Sequence, residues 1–209
     1  MRKALLSFAL FVSGSVFAAD DYIAFQRLDV RSDGRKWMTA SLQFMAKTHP
    51  NPKGALNDKF IDDVKVELYL CFNNEVREKK IKADTGRKPN LKETLDCYHA
   101  IVEIPTLEVD SRLKTLVFLL PLEIAKRDGF EREQKPHGYI VDISIGGASV
   151  ELKDPVVLEG FRQEEVLKTF KEVAIENAAK NEGLLVPGHI VDITYLENAP
   201  AVKFPNPAK

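Results

Sequence analysis

Apolar and polar residues alternate along most of this chain, and the alternation predicts strands. In "DVKVELYLCFNN" (63–74), Val64, Val66, Leu68, Leu70 and Phe72 share one face, while Lys65, Glu67, Tyr69, Cys71 and Asn73 share the other. "KWMTASLQFMAK" repeats the pattern with Met38, Ala40, Leu42, Phe44 and Ala46 turned inward. It follows "YIAFQRLDV" across an Asp33-Gly34 turn signal. "LDCYHAIVEI" sets Tyr98, Ala100, Val102 and Ile104 against Cys97, His99, Ile101 and Glu103. "RLKTLVFLLPLEI", with its apolar run Leu116–Leu120, has the character of a core strand up to Leu120, and Pro121 then opens a short helix ending before Gly129. In "GYIVDISIGGASVELKDP" a Gly146-Gly147 turn sets Ile145 opposite Ala148, Ile143 opposite Val150 and Val141 opposite Leu152, all on one apolar face.

Half-apolar strands separated by turn signals, with no strand–helix–strand alternation, predict a mainly β protein. The expected form is an antiparallel immunoglobulin-like β-sandwich over residues 19–160. Trp37 precedes both cysteines instead of lying between them, so the antibody-type core is not expected. A period of 3.6 takes over in "FRQEEVLKTFKEVAIENAAKNEG". There Val166, Leu167, Phe170, Val173, Ala174, Asn177 and Ala178 form a single stripe, and one C-terminal amphipathic helix packed on the sandwich is expected over 161–183. Three prolines in the last ten residues, Pro200, Pro205 and Pro207, predict an extended tail over 184–209.

The first residues change how the cysteines are read. Arg2 and Lys3, a short apolar run and Val16-Phe17-Ala18 predict a signal peptide over 1–18. The run falls short of the roughly 20 apolar residues that span a bilayer, and no later segment of the mature chain reaches that length. In an oxidising compartment the 2 cysteines predict one disulfide, Cys71–Cys97. Both sit on the less apolar faces of successive strands.

Charge excludes more than it proposes. With 30 basic against 31 acidic side chains there is no footprint for nucleic acid. No nucleophile elbow, P-loop, zinc-protease helix or dinucleotide fingerprint is present, and no catalytic residue is nominated. His99 with Glu103 and His189 with Asp192 fall on awkward faces for metal ligation, and Asp20-Asp21 and Asp62-Asp63 lack the calcium-loop pattern. No cofactor or metal is expected. The segment 74–96 is rich in Lys79, Lys80, Lys82, Arg87 and Lys88. It reads as a solvated connection, as two strand extensions turning at Thr85-Gly86, or as an electrostatic contact for an envelope protein or acidic glycan. On the helix, Ile175 lies opposite the apolar stripe near Glu164, Lys168, Lys171 and Glu182, and this face is the other candidate partner contact.

The leader, the sandwich, the amphipathic helix and the Pro-rich tail together resemble the secreted proteins encoded alongside type IV pilus-like genes in mucin-degrading gut bacteria such as Akkermansia. That resemblance implies an immunoglobulin-like fold. It also implies an accessory role, because "VSGSVFAADDYIAF" passes at once into acids and strand where a pilin has its long apolar helix. The expected function is a non-enzymatic, exported structural or adhesion module of the bacterial cell envelope, accessory to a type IV pilus-like system and located in the periplasm, at the outer membrane or on the cell surface. The alternatives are a glycan-binding domain and a periplasmic chaperone-like sandwich that offers a strand edge.

Overall fold

The alternating segments build two antiparallel sheets packed face to face in the computed structural model, which describes residues 22–32, 36–130 and 135–191. The leader expected over 1–18, the Asp33-Gly34 turn and everything beyond residue 191, Asp192 included, lie outside the described residues. The described chain is mainly β, with one long C-terminal helix.

Strand β1 (Ile23–Ser32) pairs with β2 (Trp37–Ala46), and β3 (Phe60–Asn73) starts the other sheet. Helices α1 (Glu75–Thr85) and α2 (Leu91–Thr94) follow, leading into β4 (Leu95–Glu108). β5 (Leu113–Pro121) returns to the first sheet and ends in α3 (Leu122–Asp128). β6 (Gly138–Ile145), β7 (Ala148–Ser149) and β8 (Val156–Leu158) complete the second sheet. Then come α4 (Glu164–Ala178), a 3₁₀ turn over Ala179–Asn181 and a last short strand, β9 (Val186–Pro187). The first sheet runs β1-β2-β5-β9 and the second β4-β3-β6, with β7 and β8 on the far side of β6. β2 pairs with β5 within the first sheet and β3 with β6 within the second, so the chain passes between the layers as in an immunoglobulin-like sandwich.

The inward faces are those the alternation predicts. Met38, Ala40, Leu42, Phe44 and Ala46 of β2 face Val64, Val66, Leu68, Leu70 and Phe72 of β3 in one core, and all are buried. Burying such side chains contributes about 1.5–3 kcal/mol each against the entropy of ordering them. At one end Phe130 stacks on Phe72 with ring centroids 4.2 Å apart, and Tyr98 packs against both. The Tyr98 hydroxyl donates to Asp128 Oδ2 at 2.6 Å, and Arg127 holds the same carboxylate through Nε and a terminal nitrogen. Burial first, then the Asp128 charge, pushes the Tyr98 phenol far above its ordinary range, so it stays a donor.

Five expectations need correction. The face holding the cysteines is not wet. Cys71 and Cys97 stand opposite each other in register, form the disulfide and are fully buried, because α4 lies across them. The segment 74–96 is neither a bare connection nor a pair of strand extensions but two capped helices. The Gly146-Gly147 turn and its first pair form as expected, and Val150 N–H donates to the Ile143 carbonyl. The ladder does not reach Val141 and Leu152, however. Asp154 turns to positive φ and Pro155 has no N–H, so Val141 N–H donates to the Pro155 carbonyl and β8 takes over the pairing. Finally, β5 is a core strand only over Phe118–Leu120. Leu113 and Val117 are exposed, as they lie on the face of β5 opposite Leu116, Phe118 and Leu120, which pack on the core. The chain expected to be an extended tail from residue 184 begins inside the domain, with Leu184 and Leu185 in the core.

One glycine seats α4. A Cβ at Gly138 would lie 2.6 Å from the Phe170 ring and 2.8 Å from the Val157 carbonyl oxygen. The ring can shift, but the strand carbonyl cannot. Gly138→Ala is therefore expected to cost about 1–3 kcal/mol. A denaturation midpoint equal to that of the parent protein would show that α4 does not press on β6 here.

Candidate partner-contact surface

Two stretches that carry the candidate contact residues end up on one side of the second sheet. Asn74 closes β3 and caps α1, its side-chain oxygen accepting from Arg77 N–H at 2.9 Å. Gly86, in the left-handed conformation, ends the helix, its N–H donating to the Lys82 carbonyl. Asn90 and Glu93 form a reciprocal capping box that starts α2. Between these helices and the sheet, Asp96 is the anchor: Asn74 Nδ2 and Arg77 each donate to it at 2.8 Å. Arg77 also reaches the Glu93 carbonyl at 3.4 Å. No residue of α1 is buried.

Ion pairing sorts the candidate cations. Lys79 is paired with Glu75 one turn earlier, and Arg87 grips both carboxylate oxygens of Glu93 at 2.8 and 2.5 Å. Arg87 first, then the Asn90 N–H, holds the Glu93 carboxyl at about 2. That charge therefore stays in place through the acidic range. Lys80, Lys82 and Lys88 are exposed without an ion pair among the described residues, and so are Lys168 and Lys171 of α4. The approachable positive charge is thus smaller than the composition of 74–96 implies.

α4 takes the orientation its stripe requires. Phe170, Ala174 and Ala178 are buried over the disulfide and Ile140, Val166, Leu167 and Val173 flank them, and Ile175 is 47% exposed on the opposite side. Asn177, the polar member of the stripe, has a separate task. It donates to the carbonyls of Lys92 and Leu95 at 3.0 Å each, and Asn181 donates to the Cys97 carbonyl at 3.1 Å. Two amides spaced i, i+4 thus occupy carbonyls along the outer edge of β4. Lys92 and Glu176 add an ion pair at 2.7 Å, and α2 contacts both α1 and α4. The structure therefore brings α1 and α4 to the same flank.

Several of these residues were missed in the sequence. The N-x-x-E spacing of Asn90 and Glu93 is a readable helix start, and Gly86 is a readable stop. Asn177 within an apolar stripe was the only sign of an edge cap. Farther along the outer face of the second sheet, His99 stacks on Tyr69 at 4.2 Å and its Nε2 lies 3.2 Å from Glu67, which also pairs with Lys65. Burial works against the Glu67 carboxylate, but Lys65 and His99 outweigh it and hold its pKa below the usual range. Among the described residues no group of three or more His, Cys, Asp and Glu side chains is placed to hold a metal ion, and no helix is long and apolar enough to cross a membrane. No protein-family model, curated protein or solved structure matches this chain.

Proposed function

We propose that this protein is a non-enzymatic, exported module of the bacterial cell envelope, acting by protein–protein contact through the flank formed by α1 and the outer side of α4. One observation carries the reading. α1 has 11 residues and buries none of them, yet it is capped at both ends and tied by Arg77 to Asp96. A helix that is polar all round adds nothing to a core, and holding one rigidly against the domain fits a surface meant to meet another body. On the outer side of α4, Ile175 supplies an exposed apolar centre among the exposed charges of Lys168, Lys171 and Glu172, and α1 adds Lys80 and Lys82 to the charged surface. The resemblance to type IV pilus-associated secreted proteins points the search for that partner to the envelope. A glycan-binding role is less favoured, since Trp37 is buried and offers no ring to a sugar.

The test is Ile175→Asp in the full chain, compared with the parent protein in cross-linked native envelopes. The thermal midpoint is expected to stay nearly unchanged while the recovered complex falls, and the remaining association should weaken further as salt is raised. Unfolding of the variant, or a complex recovered undiminished, overturns the assignment of this face.

A further inference from the structure

The two sheets do not close on each other at every edge, and the open side has the shape of a strand-sized slot. On the second sheet the outer edge of β4 is occupied near its start by the Asn177 and Asn181 amides. β1, outermost in the first sheet, has no such cover. Among the described residues beyond Tyr22, β2 is its only backbone partner from Ile23 to Arg31. An edge of this length, about 30 Å, presents a row of outward N–H and C=O groups that no described residue pairs.

Beside that edge lie two adjoining depressions of about 610 and 1200 Å³ that share Tyr139, Val157 and Glu159. They run between β1 and β8, the outermost strand of the second sheet at this end. The floor is apolar: Phe25 meets Tyr139 edge-on with centroids 6.3 Å apart, and Leu28, Val157 and Leu167 line the walls. The rim is basic. Asp29 is taken by Arg31 at 2.7 Å, and Glu159 lies 3.8 Å from His137. Lys47, Lys135, Lys153 and Arg162 have no ion pair among the described residues, leaving Asp154 as the one lining carboxylate in the same state.

We propose that this slot binds an extended acidic polypeptide strand, which pairs with the free edge of β1, sets alternate apolar side chains on the Phe25–Tyr139 floor and presents carboxylates to the basic rim. Three requirements of strand addition meet here: an unpaired main-chain edge for affinity, an apolar trough for every second side chain, and a charge pattern that selects the sequence. The slot is lined by none of Ile175, Lys168, Lys171, Lys80 or Lys82, so this assignment and the contact through Ile175 stand or fall separately.

The experiment uses the full chain and a fluorescein-labelled decapeptide in which Val alternates with Thr and Glu. Two control peptides carry Lys in place of Glu, or Pro in place of every second residue. The acidic peptide is expected to bind and to slow amide hydrogen exchange in β1. Lys153→Glu combined with Arg162→Glu, both exposed, is expected to weaken binding about tenfold with no change in thermal midpoint. The Pro peptide, lacking the N–H groups that pair, should not bind. The proposal is overturned if the acidic peptide fails to bind, if the Lys or Pro peptide binds equally well, or if protection appears away from β1. It is likewise overturned if a sulfated hexasaccharide binds the slot in preference to the peptide, or if the protein alone forms a dimer that protects β1.

Discussion

Phe170→Ala is expected to destabilise the fold by about 3–5 kcal/mol, the range for removing a fully buried aromatic ring. The ring has no exposed surface and rests against Gly138, with the disulfide, Ile140 and Leu158 around it. Truncation leaves a space that strand backbone cannot fill, since β6 is held from both sides by β3 and β8. The loss should also free α4, because its other fully buried contacts over the disulfide are the small side chains of Ala174 and Ala178. Urea unfolding measures the effect, with Ile175→Ala as the comparison on the opposite face of the helix. A Phe170→Ala midpoint close to that of Ile175→Ala would mean that α4 is not docked as described.

Replacing both cysteines, Cys71→Ala with Cys97→Ala, is expected to cost roughly 3–4 kcal/mol from the loop that the disulfide closes in the unfolded chain. The two positions are separated by 26 residues, and that loop contains α1 and α2. The cost should not simply add to that of Phe170→Ala, because the ring sits on the cystine and each change removes part of the other's packing. Parent protein denatured without reductant should show no reactive thiol. Two titratable thiols in that assay, together with an unchanged midpoint in the double variant, would remove the disulfide from the stability of this domain.

Alternation and capping carried much of the fold at the level of single elements. Met38 through Ala46, Val64 through Phe72 and Tyr98 through Val102 face the core as their period of two requires. The stripe from Leu167 to Ala178 orients α4, and Pro121 and Gly129 bracket α3. The candidate contact was legible in part: the exposure of Ile175 followed from the helical wheel, but the share of free cations in 74–96 did not, because pairing depends on how the segment folds back.

What tertiary structure alone decided is which second faces are dry. A period of two tells which residues share a side of a strand, but it does not reveal what will pack on that side. Cys71, Cys97 and Ile140 look half-exposed by pattern and are buried because α4, which comes after all three in the chain, crosses them. α1 was hidden for the opposite reason: with no apolar stripe it leaves no period, and only its caps mark it. The pairing of β6 passed from β7 to β8 because a positive φ at Asp154 and a missing N–H at Pro155 ended one ladder and allowed another. The open edge of β1 beside β8 belongs to the same class, since an edge is defined by the neighbour a strand lacks, and residues 23–32 read by themselves would look the same in the middle of a sheet.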